Sequence, residues 1–467
     1  MNVIFITSDH HRWDFLSAVG GPVETPHLDQ LAARGTRLDK AYCQTPLCVP
    51  GRISMTTGRY PMNTGYFTNR HPIDPAEPTF VRELRQSGIH TAMIGKLHHH
   101  VHVFEADYAR HEADIHALGY DYVHETSGKQ GSGAIACECR YTEFLRGQGL
   151  LEAYRKWTGR WGDEGTRAHF SDPWPWDPST TQDAYICHEA KSFLKRQPRD
   201  RPFYLHLGFV GPHPPFDAPE MFRPADEGAR GGHPRETPAV NPQWWPAYLA
   251  CIREVDHYVG EVLATLRDLG MEEDTLVLYT SDHGDLAGDK GLWGKVYFYE
   301  GSVHVPFIAA GPGVQADAVS DALAELVDVG RTVCDFFQVE THHWDQGKSF
   351  LPLLRGEVAT HRDSVFAEMG SDKMLFDGRY KLMYGDLRLD RRAEFKEPPY
   401  NGPAFGRPVN LPPDQIALYD LHEDPREECN LACGPENTQL LADMKEKMLQ
   451  RIIRNMQAAP EDSGSVL

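Results

Sequence analysis

The segment Val3-Ile4-Phe5-Ile6-Thr7-Ser8-Asp9-His10 begins with a short apolar run and ends on a carboxylate and an imidazole. A continuous apolar run of this length is typical of a strand that is buried on both faces. Thr25-Pro26-His27 then has the form of a helix start with proline at the first helical position, and the helix is predicted to end at Gly35. The first unit is therefore strand, loop and helix, with Asp9 and His10 at the carboxyl end of the strand.

The same unit recurs further along the chain. Predicted strands end just before Lys96, His213 and Asp282, and strands alternate with helices through about residue 340. This alternation favours a mostly parallel sheet with helices on both faces. Functional sites in such sheets form at the carboxyl ends of the strands, so these residues and Asp9 are expected to meet at one edge.

The sequence changes character after about residue 354. Residues 364–384 and 416–421 have the pattern of short antiparallel strands, and a final amphipathic helix follows. We predict an α/β fold in which a large mixed, mostly parallel sheet is sandwiched by helices over residues 1–358. A smaller α+β domain, with a small antiparallel sheet and the terminal helix, is predicted over residues 359–467.

Composition narrows the class of protein. The chain has 467 residues, 40% of them hydrophobic and 24% charged, as in an ordinary soluble globular protein. The formal net charge of −20 disfavours nucleic acid and anionic membrane surfaces as partners. No apolar run approaches the roughly 18 residues of a membrane span, and the first strand is too short for a signal peptide. A cytoplasmic protein is expected, and homo-oligomer formation is left open.

Two acid–imidazole pairs, Asp9-His10 and Asp282-His283, fall at two predicted strand ends. Oxygen ligands alone suit calcium or magnesium, whereas added imidazole moves the preference toward manganese, zinc or iron. We interpret the pairs as ligands of a divalent cation, and two unrelated loop pairs are the alternative.

Several further residues would supply positive charge or protons to an oxyanionic group: Arg52, Lys96, His98, His213 and Lys295. His213 lies between prolines on a rigid loop and could protonate a leaving group. Each of these residues alone has the alternative interpretation of a solvated side chain. The run His98-His99-His100-Val101-His102 could also chelate a metal by accident.

The stretch Cys48-Val49-Pro50-Gly51-Arg52 is a second compact chemical unit. If a helix starts at Pro50, then Arg52 and the helix N-terminus would both face the Cys48 side chain. On these residues alone, a buried structural cysteine before a helix and a reactive cysteine are equal alternatives.

A set of motifs follows one order along nearly the whole chain. They are Thr25-Pro26-His27-Leu28-Asp29, Cys48-Val49-Pro50-Gly51-Arg52 with Thr57-Gly58-Arg59, Gly95-Lys96-Leu97-His98, Pro212-His213, Ser281-Asp282-His283-Gly284-Asp285, Gly291-Leu292-Trp293-Gly294-Lys295 and Leu418-Tyr419-Asp420-Leu421. This set resembles the formylglycine-dependent sulfatase family of the alkaline phosphatase superfamily. Within that family it is similar to the branch of arylsulfatases, choline sulfatases and phosphonate monoester hydrolases.

The resemblance implies an alkaline phosphatase-like sulfuric ester hydrolase that releases sulfate and an alcohol from a small-molecule sulfate ester. It implies that a separate formylglycine-generating enzyme oxidises Cys48 to formylglycine, whose hydrate attacks sulfur. One divalent metal ion, Ca²⁺ or Mn²⁺, would be bound by Asp9, His10, Cys48, Asp282 and His283.

The same resemblance implies roles for the other residues. The catalytic set is Cys48, Arg52, Lys96, His98, His213 and Lys295. The substrate-binding set is Asn69, Lys96, His213 and Lys295. In the two-step reaction, His98 would deprotonate the second hydroxyl of the hydrate, and His213 with Lys295 would assist the leaving alcohol.

Three residues depart from the commonest sulfatase pattern, because His10 replaces an Asp, His283 an Asn and Gly51 a Ser. The pair Asp282-His283 is instead similar to choline sulfatases and phosphonate monoester hydrolases, and the latter also carry an asparagine near the position of Asn69. A phosphonate monoester or phosphodiester hydrolase is therefore the alternative function. A catalytically silent metal-binding protein that keeps Cys48 as a thiol is a third hypothesis.

The residues that would shape substrate specificity are less clearly marked. Residues 105–180 are rich in aromatic side chains and are interpreted either as an insertion over the active face or as ordinary core. The tryptophans of residues 157–176, with Trp244 and Trp245, suggest an aromatic, sugar or quaternary ammonium group in the substrate.

Overall fold

The computed structural model describes residues 1–100, 107–159, 171–224, 244–385 and 416–456. The strands in these ranges are β1 Asn2–Asp9, β2 Gly35–Leu38, β3 Ala41–Tyr42, β4 His90–Gly95, β5 Tyr122–Glu125, β6 Phe203–Pro212, β7 Thr275–Ser281, β8 His304–Val305, β9 Phe307–Ala310, β10 Ala318–Ser320, β11 Ala324–Glu325, β12 Val365–Met369, β13 Asp372–Phe376, β14 Tyr380–Tyr384 and β15 Ile416–Asp420.

The α-helices in the same ranges are α1 Pro26–Ala33, α2 Cys48–Thr57, α3 Pro61–Thr64, α4 Phe80–Gln86, α5 Glu112–Ala117, α6 Lys129–Ser132, α7 Arg140–Gly147, α8 Leu151–Gly159, α9 Gln182–Arg196, α10 Trp244–Asp268, α11 Glu300–Val303, α12 Asp328–Phe337, α13 Leu351–Leu354 and α14 Thr438–Asn455. None of the described helices is long and apolar enough to cross a membrane.

The main sheet has eight strands in the order β10-β2-β9-β7-β1-β6-β4-β5. The central strand β1 pairs in parallel with both β6 and β7. Among the described strands of this sheet, β9 alone runs against its neighbours, β2 and β7. The predicted mixed, mostly parallel sheet is therefore confirmed.

Strand β1 shows why helices cover both faces of this sheet. Its apolar side chains alternate between two cores, because successive residues of a strand point to opposite faces. Ile4 and Ile6 pack in a core with α1, α9 and α10. Val3 and Phe5 pack in a second core with α4 and α12. Burying such a side chain contributes roughly 1.5–3 kcal/mol, so the helices clamp the strands from both sides and fix where the strands end.

The predicted antiparallel strands and terminal helix are also present. Strands β12, β13, β14 and β15 form a small antiparallel sheet. Leu375, Leu382 and Leu418 of this sheet pack against Met444 and Met448 of α14. The boundary between residues 358 and 359 stays a prediction, and residues 386–415 and 457–467 of that predicted unit lie outside the described residues.

Residues 105–180 contain more regular structure than the sequence indicated. Tyr122–Glu125 forms the edge strand β5, which pairs in parallel with β4. Trp174 is buried among the aromatic rings of Tyr154 and Trp157, which favours the interpretation as core over that of an insertion. Trp161, another tryptophan of this segment, lies outside the described residues.

Candidate functional site

Four predicted residues meet at the carboxyl edge of the main sheet. Asp9 is the last residue of β1, and Asp282, Lys96 and His213 directly follow β7, β4 and β6. Because β7, β1, β6 and β4 are consecutive in the sheet, their carboxyl ends are adjacent. The Lys96 ammonium donates a hydrogen bond to Asp9 Oδ2, so side chains far apart in sequence come into direct contact here.

Cys48 occupies the first position of α2, so the prediction that this helix starts at Pro50 is wrong. Proline is tolerated in the first helical turn, where its missing N–H would have no intrahelical partner. All ten residues of α2 are buried. At its start, the backbone N–H of Val49 donates to Asn69 Oδ1 at 3.0 Å, which places Asn69 beside Cys48 in space.

The Cys48 thiol lies among charged groups and is 2% exposed. Lys295 Nζ donates to Cys48 Sγ at 2.6 Å, and His283 Nε2 lies 3.4 Å from the same sulfur. Burial, with the charge of Asp9, raises the pKa of Cys48 despite the opposing effect of Lys295. Unmodified Cys48 is therefore a protonated thiol, which is a weak nucleophile.

Arg52, one turn after Cys48 in α2, contacts groups at the carboxyl ends of three strands. Its Nε donates to Asp282 Oδ2 at 2.8 Å and its Nη1 to the backbone carbonyl of Lys96 at 2.7 Å. Its Nη2 lies 3.6 Å from Asp9 Oδ2. Each guanidinium nitrogen faces a group from a different strand, so Arg52 fixes the spacing of the two carboxylates.

Three imidazoles, those of His10, His213 and His283, share one hydrogen-bonding arrangement. His10 Nδ1 lies 2.8 Å from Asp285 Oδ2. Nδ1 of His213 and of His283 faces the backbone carbonyl of the following residue at 2.6 and 2.9 Å. An oxygen acceptor at Nδ1 requires the proton there, so each Nε2 carries a lone pair. Burial lowers the pKa of His10 and His213 well below the usual range and that of His283 to about 4, so all three are neutral.

Asp9 remains ionised at the centre of this arrangement. Burial alone would raise its pKa, but Lys96, Lys295 and Arg52 together lower it well below the usual range. A buried carboxylate is stable only when it is paired with positive charge, and these cations provide that charge.

Two overlapping groups of side chains have the geometry to hold a cation, with ligand atoms within 4.8 Å of one another. The first group is Asp9, Cys48, Asp282 and His283. The second group is Asp9, His10 and His213. His10 thus lies beside the other four predicted ligands and shares Asp9 with them. Its buried Nε2 has no hydrogen-bond partner among the described residues, which fits a metal ligand.

The contacts of Lys295 show that the first group of side chains, Asp9, Cys48, Asp282 and His283, favours a positive charge beside it. The Lys295 ammonium contacts His283 Nε2 at 2.9 Å as well as the sulfur of Cys48. Burial would lower the pKa of Lys295, but the carboxylates of Asp9 and Asp282 raise it, so the lysine stays charged. The donor set of carboxylates, imidazole and residue 48 therefore fits a divalent cation.

His98 lies outside both groups, in the loop after β4. It has a positive φ of 58°, and its backbone N–H donates to Glu125 Oε1 at 3.1 Å. Glu125 was not predicted as a site residue, because only the pairing of β5 brings it to this edge. Asp285 was also not predicted as a site residue, although the second carboxylate of Asp282-His283-Gly284-Asp285 was a usable signal.

Comparisons with known proteins agree with this geometry. The sulfatase family model matches residues 1–339. An arylsulfatase from Clostridium perfringens is 27% identical over 83% of this chain and 88% of its own length. A choline-sulfatase from Rhizobium meliloti is 28% identical over 90% of this chain and 79% of its own length. The phosphonate monoester hydrolase of Agrobacterium radiobacter has the same fold, with a TM-score of 0.71 and 23% identity over 97% of this chain and 96% of that one.

The fold and the clustered strand-end residues define a hydrolase of the alkaline phosphatase superfamily. Within that superfamily, the chain belongs to the sulfatase family.

Proposed function

We propose that this enzyme hydrolyses small-molecule sulfuric esters to sulfate and an alcohol, with formylglycine made from Cys48 and one divalent metal ion. The observation that carries the proposal is the convergence of Cys48, Asp9, Asp282 and His283 in one buried group that faces Lys295. The names of the arylsulfatase and choline-sulfatase relatives support sulfur as the transferred centre.

The metal would be held by Asp9, Asp282, His283 and residue 48, with His10 next to them. When bound, it would supply Lewis acidity to the group at residue 48. Calcium prefers oxygen ligands, whereas imidazole nitrogen suits manganese or zinc. The Nε2 lone pairs of His283 and His10 therefore favour Mn²⁺ over Ca²⁺.

The cations of the site would stabilise the charge that develops on the transferred group. Arg52 and Lys96 are held rigidly at the strand ends, and preorganised donors in a water-poor site are worth more than the same donors in water. Lys295 retains its proton because neighbouring negative groups raise its pKa. It is therefore the better placed proton donor to the leaving oxygen, and neutral His213 would assist there by relaying a proton that its Nε2 has first accepted.

A second candidate function, hydrolysis of phosphonate monoesters or phosphodiesters, is favoured by the position of Asn69. Its side chain contacts the backbone of Val49, next to Cys48, so its amide could lie beside the second organic substituent that a diester-like substrate has and a sulfate ester lacks.

Parallel rate measurements test the proposal. Protein produced together with the maturation enzyme should hydrolyse an aryl sulfate faster than phenyl phosphonate or a phosphodiester. A phosphonate rate above the sulfate rate would establish the second function instead. Cys48→Ala should lose sulfatase activity by about 1,000-fold or more, whereas Cys43→Ala, which changes another fully buried cysteine, should keep it.

The mass of the peptide that contains Cys48 tests the modification separately. Conversion of cysteine to formylglycine removes one sulfur and two hydrogens and adds one oxygen, so the modified peptide has a lower mass. Active protein in which this peptide carries only unmodified cysteine would contradict the formylglycine mechanism without touching the assignment of the substrate.

A further inference from the structure

A second cluster of metal-ligating side chains lies outside the sulfatase site. His100, His111 and Asp114 each offer one ligand atom, and these atoms lie within 4.8 Å of one another. The rings of His100 and His111 are 4.3 Å apart between centroids, with an angle of 20° between their planes. His111 Nδ1 lies 3.6 Å from Asp114 Oδ2. Two nitrogens and one carboxylate oxygen are thus already gathered in one place.

His100 has the features of a ligand in need of a partner. It is 1% exposed, and neither of its ring nitrogens has a hydrogen-bond partner within the described part of the chain. Leaving a buried polar group unsatisfied costs roughly 1–3 kcal/mol. A cation bound to one of these nitrogens would remove that cost.

The charge state of the cluster suits a metal. Burial, with the nearby imidazole of His111, lowers the pKa of His100 to about 4, so its ring is neutral at physiological pH. Neutral imidazole nitrogens and a carboxylate are the ligands of zinc and related cations. Neither His100 nor the other two residues takes part in the proposed reaction.

We propose that His100, His111 and Asp114 form a binding site for a divalent transition cation of the Zn²⁺ class, independent of the sulfatase site. Three protein ligands leave room for water in the coordination sphere.

The site would join two parts of the chain. His100 lies in the segment after β4 that also carries Lys96 and His98, whereas Asp114 lies on α5 and His111 on the 3₁₀ turn that leads into that helix. A cation bound to all three would tether the Lys96–His100 loop to α5 from outside the sulfatase site.

Zinc titration of variants tests the site. The full chain, stripped of metal with a chelator, is titrated with ZnCl₂ by isothermal calorimetry. His111→Ala should lose one equivalent of zinc, or bind it at least about 100-fold more weakly, and Asp114→Asn should weaken the same equivalent. His116→Ala is the matched control, because His116 is on α5 with Asp114, is similarly exposed (39% against 38% for His111) and also faces a carboxylate, that of Glu112.

Chemical modification of histidines in the wild-type protein tests the same zinc site without a variant. Zinc should protect His111, but not His116, from modification by diethyl pyrocarbonate, because a nitrogen bound to metal cannot react. Equal protection of both residues, or a His111→Ala variant that binds as much zinc as His116→Ala, would overturn the proposal.

Discussion

His10 is held in a conformation that the backbone does not favour. Its φ is 70°, in the left-handed region that costs a residue other than glycine roughly 1–2 kcal/mol. Asp285 binds its ring, and the Tyr248 hydroxyl donates to its backbone carbonyl at 2.6 Å. The surrounding structure thus enforces an orientation that aims Nε2 at Asp9, which is the arrangement expected of a metal ligand.

Replacement of Asp285 tests whether its hydrogen bond to the His10 ring keeps Nε2 available for a metal. Asp285→Asn can turn an amide N–H toward His10 Nδ1, which moves the ring proton to Nε2 and removes the lone pair. We expect the dissociation constant for Mn²⁺ to rise about 10- to 100-fold, measured by calorimetry on metal-free protein. Asp289→Asn, which alters an ion pair of Arg12 in the same loop, should leave the constant unchanged. Equal weakening in both variants would contradict the role of Asp285.

Glu125 should make stability depend on pH. Burial raises its pKa to about 8 from an ordinary value of 4.5, and its Oε2 has no hydrogen-bond partner within the described residues. Between these two values the folded state holds a proton that the unfolded state has lost, so stability falls as pH rises through this window.

Glu125→Gln keeps an acceptor for the His98 N–H and has no carboxylate to ionise. We expect this variant to match the wild type near pH 5 and to exceed its free energy of unfolding by about 1–3 kcal/mol at pH 8. Chemical denaturation at the two pH values measures the difference. A constant offset between the proteins at both values would show that Glu125 does not hold the proton.

At the scale of elements, the sequence predicted the strand ends well and the contacts between elements poorly. Asp9, Lys96 and Asp282 follow strands whose apolar runs are unbroken, so their position at one edge followed from the parallel fold. Strand β5 was missed, because four residues at a sheet edge carry little periodicity. The start of α2 at Cys48 was missed because a proline at the third position looks like a helix start.

Helices α6 and α9 hold the loop that carries His213. Asp183 of α9 accepts from the backbone N–H of Val210 at 2.7 Å and of Gly211 at 3.0 Å. Lys129 of α6 donates to the backbone carbonyl two residues beyond His213 at 3.3 Å. The loop is therefore fixed on both sides of His213 by buried charged groups that sequence patterns did not reveal.

Weaker hydrogen bonds to the loop that carries His213 should lower the rate most for substrates with poor leaving groups. Asp183→Asn loses one of two acceptor oxygens, and we expect kcat to fall about 10-fold for an alkyl sulfate. The loss should be smaller for nitrophenyl sulfate, whose leaving group needs little protonation. Glu189→Gln on the same helix should change neither rate. Equal losses for both substrates would indicate a general loss of structure rather than displacement of His213.

At the scale of the whole molecule, α14 is joined to the body of the protein by buried charge. Arg451 donates to the Tyr60 hydroxyl at 2.6 Å and to Glu325 Oε2 at 2.7 Å. Tyr60 precedes α3 and Glu325 belongs to β11, both far from α14 in sequence. The terminal helix is therefore part of the cooperative structure, and we expect a single unfolding transition.

Removal of this link should be costly. Arg451→Ala removes one of two arginines that pair with the buried Glu325, the other being Arg362, and should lower the free energy of unfolding by about 1–3 kcal/mol. Arg454→Ala, one turn further on, breaks an exposed pair with Asp363 and should cost less than about 1 kcal/mol. Denaturant titration compares the two variants, and similar losses in both would show that α14 docks without the Arg451 link.

If Cys48 is modified as proposed, the burial of α2 would also determine when that modification can occur. Every residue of that helix is buried, so a maturation enzyme could bind and modify Cys48 only while the segment is still unfolded. Modification and folding would then compete for the same nascent chain. A sequence change that makes the main sheet form faster would yield more stable protein, but a smaller fraction of the molecules would carry the modification and be active. Slower synthesis or folding would raise the active fraction without a change in any residue of the site.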